Sequence, residues 1–272
     1  MNTSEVVYST WSNDAIRAYF RHADVSGAWS NIILGVVILM VTRLSLRADQ
    51  IDLGRRISAM TLFFASIFCV NVIATMSHMI EHYPPIATTL RMDLDFVNHS
   101  AIGFCALWVE VSILERVRGL RKIGYLRAFP KTGFVVFVVG NFVVFQAINW
   151  SIRNEPNFNY AILDYMLSLS VLLAFCVYVL VKLPRRLDRR YEAFSIASFG
   201  ILASASIAHI ALADLLPVGE SLINANDVYH LLSAPAFYTL YKSKRLATSA
   251  NPMTLQPNLA VGLFAKKEFH HS

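Results

Sequence analysis

Charge is what this sequence has least of. Only 15% of its 272 residues are Asp, Glu, Lys or Arg, against about 25% in an ordinary soluble domain. With 56% of the residues hydrophobic, a water-soluble globule is excluded, as are a disordered chain and a coiled coil. Cysteine is scarce as well: Cys69, Cys105 and Cys176 are the only three, each inside an apolar run. That pattern excludes an extracellular cystine framework. The chain also lacks a P-loop, a Rossmann glycine fingerprint, a GxSxG elbow, an internal repeat and a low-complexity tract. The first 27 residues have no apolar h-region and carry Asp14, Arg17, Arg21 and Asp24, so they do not read as a signal peptide.

What the sequence does have is long apolar runs. A spanning helix needs roughly 20 mostly apolar residues. Seven segments qualify, about Ala28–Leu44, Ile57–Ile80, Phe96–Leu114, Thr132–Trp150, Tyr160–Val181, Phe194–Leu215 and Val228–Tyr241. The net charge of +6 then reads as topogenic charge at a membrane surface, and no nucleic-acid partner is expected. Arg43 to Arg56, Arg116 to Lys131, Lys182 to Arg190 and the tail from Lys242 place twenty basic residues on one side, against four on the other. The positive-inside rule puts the N-terminus outside and the C-terminus in the cytoplasm. The expectation is an all-α integral membrane protein, a multi-pass bundle of seven transmembrane helices. Residues 1–27 would form an outer amphipathic segment with Trp11, Ile16, Tyr19 and Phe20 at the interface. Residues 28–245 would form the seven-span domain, and 246–272 a mobile cytoplasmic tail.

Ionisable groups inside a membrane domain are costly and mark function. On this topology His78 and His82, then Asp93, Asp95 and His99, then His209 and Asp214, and finally Asn226, Asp227 and His230 fall in one outer layer on four helices. His78 and His82, Asp95 and His99, and Asn226 and His230 are each four residues apart and share a helix face, and Asp227 is three before His230. Convergent imidazoles and carboxylates match zinc. A zinc-bound hydroxide attacks an acyl carbonyl near neutral pH, with a nearby carboxylate relaying the proton. Deeper in, Glu110 follows His99 by about three turns and either lines the same cavity or is protonated and hydrogen-bonded. Asn141 and Gln146 read as contacts between helices.

These residues carry a resemblance. The run Asn226, Asp227, Val228, Tyr229, His230, Leu231, Leu232 resembles the HxxxHLL seventh-helix motif of the alkaline ceramidases, which belong with the adiponectin and progestin receptors. Trp29, Ser30 and Asn31 are similar to the first-helix SN signature of that family. His82 fits the histidine of its SxxxH motif, and Asp93 its early third-helix aspartate. Asn226 stands where the family has its first seventh-helix histidine, and His78 where it has the serine. The resemblance implies a zinc-dependent hydrolase acting on a ceramide-like membrane lipid. His78, His82, His230 and Asp227 are then the metal ligands, and Asp93 and Asp95 the catalytic carboxylates. His99, Asn226, Ser77 and Glu110 are secondary candidates. His78 or Asp227 replaces the missing imidazole, or catalysis has been lost. Two other classes stay open: an electron carrier with haem between facing histidines, and a non-catalytic receptor or scaffold. A retinal Schiff base is excluded, because Lys182 and Lys242 sit at inner span ends.

Overall fold

A computed structural model describes residues 25–53, 56–80, 87–122, 124–151, 160–182, 189–212, 215–216 and 223–249. Most of the expected outer segment and the tail beyond 249 lie outside the described residues. The described residues form seven helices: α1 (Val25–Leu53), α2 (Ala59–Ile80), α3 (Ala87–Lys122), α4 (Lys131–Ser151), α5 (Tyr160–Lys182), α6 (Arg190–Leu212) and α7 (Ala225–Ser249).

The helices turn apolar side chains outward, and their polar side chains are directed inward among a mostly apolar core. On α4 the exposed face carries Val135, Val136, Val139, Val143 and Val144. The opposite face turns Asn141 and Asn149 toward neighbouring helices. A helix in water does the reverse. The inversion suits a lipid surround, where backbone groups bond within the helix and side-chain polar groups must find partners inside the bundle. Six helices, α1 to α6, are long and apolar enough to cross a membrane. This is the make-up of a multi-pass integral membrane protein.

α7 has 25 residues, about 37 Å at 1.5 Å per residue, which is also long enough. It is less apolar because its inward stripe is polar: Asp227, His230, Ser233, Ser243 and Lys244 are all buried. α1 and α3 run past the ends expected from hydropathy. The added stretches carry Asp49 and Arg116, whose partners come from other helices.

α2 packs between α1 and α3, and α7 between α1 and α6. α3 also packs on α4 and α5, and α5 on α6. The aromatic centre joins α2, α5 and α7: the Phe63 ring lies 6.4 Å from Tyr165 and 6.5 Å from Phe237. Cross-helix bonds give the directions. Ser30 meets His230, and Ser45 meets Lys244, so α1 and α7 run parallel. Ser195 meets Ser243 at 2.7 Å, and Ser198 donates to Ala236 O at 2.7 Å, so α6 is antiparallel to α7. After α3, Gly124 takes a left-handed φ of 87° that glycine adopts without strain. Arg121 braces the turn that follows, donating to Leu126 O at 3.2 Å and Arg127 O at 2.6 Å.

One end of the bundle is held by charge. Lys244 Nζ lies 2.7 Å from Asp49 Oδ1, with both side chains at most 3% exposed. The ammonium also donates to Ser45 O, Ser45 Oγ and Thr61 Oγ1 at 2.7, 2.8 and 3.0 Å. Asp49 Oδ2 accepts from Ser58 N–H, Ser58 Oγ and Thr61 Oγ1 at 2.9, 3.0 and 2.6 Å. The start of α2 is thereby capped from two sides: Asp49 of α1 takes the Ser58 N–H, and Glu115 of α3 takes the Ala59 N–H at 3.1 Å. These are unsatisfied donors that a helix start must place, and negative charge suits them. Beside this cluster Arg116 of α3 pairs with the fully buried Glu192 of α6 at 2.8 Å and stacks 4.9 Å over Tyr191.

Breaking a buried pair from one side strands a charge and costs about 3–5 kcal/mol, whereas replacing both partners with apolar residues is often close to neutral. Lys244→Ala is therefore expected to lower stability in detergent by about that amount, and Lys244→Met with Asp49→Leu to recover part of it. Denaturation midpoints of the three proteins check this.

Candidate functional site

At the opposite end of the bundle a chain of side-chain contacts runs from helix to helix. Ser77 of α2 donates to Asp95 Oδ1 of α3 at 3.3 Å. Asn71 of α2 donates through Nδ2 to Asn31 Oδ1 of α1 at 3.1 Å. Gly35 makes room for that side chain, since a Cβ there would stand 2.6 Å from Asn71 Oδ1. Ser30 of α1 meets His230 Nδ1 of α7 at 2.9 Å. The Tyr229 ring lies 5.9 Å from His209 of α6 and 5.6 Å from His230. Ser30, Asn31, Asn71, Ser77, Asp95, His209 and His230 thus share one end, contributed by α1, α2, α3, α6 and α7.

The start of α7 explains the placement of Asp227. Asn224 Oδ1 accepts the Asp227 N–H at 3.0 Å, and Asp227 Oδ2 accepts the Asn224 N–H at 2.8 Å. This reciprocal pair is a capping box, with Asn224 at the N-cap and aspartate in place of the usual Glu or Gln three residues on. It fixes the helix start and leaves Asp227 Oδ1 buried with no hydrogen-bond partner. One turn on, His230 is buried and held through Nδ1. In the tautomer with Nδ1–H donating to Ser30 Oγ, Nε2 carries the acceptor lone pair.

The other candidates distribute as follows. Asp93 is exposed, and Asp95, His99, Asn226 and Ser77 are half-buried. The side chains of His78 and His82, and Asp214, lie outside the described residues. Among the described residues no group of three His, Cys, Asp or Glu side chains stands close enough to hold a metal ion. Glu110 does not join this end. It lies deeper and is hydrogen-bonded to Ser168 of α5 at 2.9 Å and Asn141 of α4 at 3.1 Å. Asn141 does bridge helices as expected. Gln146 reaches Ser100 O at 3.4 Å, and Asn149 reaches Ser100 Oγ at 2.9 Å.

Sequence reasoning passed over Asp49, Asp164, Glu192 and Lys244. Asp164 sits five residues into an apolar run, and the rule applied to Glu110 would have singled it out. Lys244 was counted among the tail charges, and only its distant partner Asp49 reveals that it is buried.

The capping geometry makes a prediction. Asp227→Asn keeps an oxygen for the Asn224 N–H and is expected to leave stability nearly unchanged. Asn224→Ala removes the capping acceptor and is expected to cost about 1 kcal/mol, read as a lower unfolding midpoint in detergent.

Among curated proteins and among solved structures, no match to the chain was found. Residues 27–248 match DUF6962, a family of unknown function, so the match takes in all seven helices but for α1's first two residues and α7's last one, and the chain belongs to the DUF6962 family.

Proposed function

We propose that the protein is a zinc-dependent hydrolase embedded in a membrane, cleaving the amide of a ceramide-like lipid. The observation that carries this reading is the 2.9 Å contact between Ser30 Oγ and His230 Nδ1. The two residues come from motifs 200 positions apart, each similar on its own to a motif of the alkaline ceramidases. Metal-ligating histidines are commonly held by a hydrogen bond at the second ring nitrogen, which fixes tautomer and ring orientation. Ser30 is placed to do this for His230.

Two of the described residues support this reading as donors. His230 is one. Asp227 is the other, since its buried, unpartnered Oδ1 is an oxygen a cation would satisfy. In the proposal His82 is the third ligand, and His78 stands in for the imidazole that Asn226 lacks. A zinc ion held there supplies a water acidic enough to act as hydroxide near neutral pH. The protein's own part is to position and to move protons. Asp95, fixed by Ser77, would take the water's proton as the lipid amide is attacked and return it to the departing amine nitrogen, while exposed Asp93 exchanges protons with solvent at the same end.

In the same reading α7 is a seventh span, its polar stripe tolerable because those side chains are buried against α1 and α6. The His230 end faces outside, and the Lys244 end faces the cytoplasm, following the twenty-to-four partition of basic residues. Reporter fusions after Arg121 and after Arg186 are expected to score as cytoplasmic, and one after Pro217 as external. An external signal at Arg121 would reverse the orientation.

Elemental analysis of the purified protein is expected to find zinc at one ion per chain. His230→Ala and His82→Ala should each lose most of it. Ser30→Ala should retain the ion but bind it about 10–100-fold more weakly, the usual cost of removing a ligand's supporting hydrogen bond. Full zinc content in both histidine variants would defeat the proposed centre.

A further inference from the structure

A second group of buried acids lies away from the His230 end and takes no part in the hydrolase reading. Glu110 of α3 is 1% exposed. Its Oε1 accepts from Ser168 Oγ at 2.9 Å and from Asn141 Nδ2 at 3.1 Å. Its Oε2 is buried and has no hydrogen-bond partner. Asp164 of α5, also buried, accepts from the same Asn141 Nδ2 at 2.8 Å. Two carboxyl groups from different helices therefore share one amide nitrogen, which puts their accepting oxygens no more than about 6 Å apart.

Among the described residues, no cation balances them. The helices packed on α3 here are α2, α4 and α5. α2 contains no Asp, Glu, Lys or Arg, and α4 has only Lys131, at its first position. α5 contributes Asp164 itself and the phenol of Tyr165, and its single lysine, Lys182, is its last residue. On α3 the nearest arginine, Arg116, is engaged with Glu192. Two like charges at this separation, out of water and without a counter-ion, do not both ionise.

We propose that Glu110 and Asp164 form a proton-binding carboxyl pair inside the bundle, with one exchangeable proton carried on Glu110 Oε2. The placement follows from the donors. Glu110 Oε1 and Asp164 Oδ1 accept from Asn141, and Oε1 also accepts from Ser168, whereas Oε2 accepts from nothing. A neutral hydroxyl is the less costly occupant of that position. The same geometry speaks against a metal ion. The groups that meet the carboxyls are donors, the N–H of Asn141 and, on Glu110, the O–H of Ser168, whereas a hard cation needs a shell of oxygen acceptors.

The test is infrared difference spectroscopy of the full chain in lipid nanodiscs. At neutral pH the wild-type protein is expected to show the C=O stretching band of a protonated carboxyl, unchanged when sodium replaces potassium. Glu110→Gln should lose that band, and Asn replacement of the exposed Asp93 should keep it. Absence of the band in the wild type overturns the proposal, as does its loss on adding sodium, which would mark a sodium site. Loss in Asp164→Asn with retention in Glu110→Gln would overturn the assignment to Glu110. The wild-type measurements stand even where a variant fails to fold. None of these outcomes depends on zinc or on hydrolysis.

Discussion

An ammonium and a carboxylate withdrawn from water together, Lys244 and Asp49, close this bundle. Neither is tolerable alone at that depth, and their attraction offsets desolvation only where the remaining hydrogen-bonding capacity is also used. Here it is: Ser45, Ser58 and Thr61 take up the other donors and acceptors. The pair sets the register of α1 against α7, and through the Ser58 N–H it also sets where α2 begins. With that end fixed, the parallel course of α1 and α7 brings Ser30 to His230 about 15 residues along both helices from the contact of Ser45 with Lys244. The geometry of the candidate site is thus a consequence of a contact at the other end of the bundle.

The interior follows a general rule for lipid-facing proteins. Where the surround is as apolar as leucine, burying leucine gains little, and packing and polar contacts between helices do more of the work. α4 illustrates this. It buries few side chains, and it is tied down by Asn141, Gln146 and Asn149 at spacings of roughly one turn. Gly103 of α3 allows the approach, since a Cβ there would stand only 2.9 Å from Gln146 Nε2 and closer still to the Phe145 ring.

Much of the fold was legible because run length and apolarity identify spanning helices directly, and α1 to α6 follow from them. Helix ends were less legible. Hydropathy stops at the first charge, but Asp49 and Arg116 lie within helices because partners from α7 and α6 neutralise them. The apolar run of α7 is shorter than the helix for the same reason. Of the candidate site, the sequence showed which residue types recur at one-turn spacing, and it showed the motifs around Ser30 and His230. It could not show that Ser30 touches His230, or that Asp227 closes a capping box with Asn224, since the first depends on the whole bundle and the second on a helix start that hydropathy does not register. Asp164 was hidden by its position near the start of an apolar run, where an acid passes for a boundary.

The latch between Asp49 and Lys244 also has a meaning in time. The ribosome makes the carboxylate nearly two hundred residues before its partner, an interval of about 10–40 s at roughly 5–20 residues per second. During that interval the lysine that pairs with Asp49 in the folded bundle does not yet exist. The last helix is therefore the one whose arrival completes the latch.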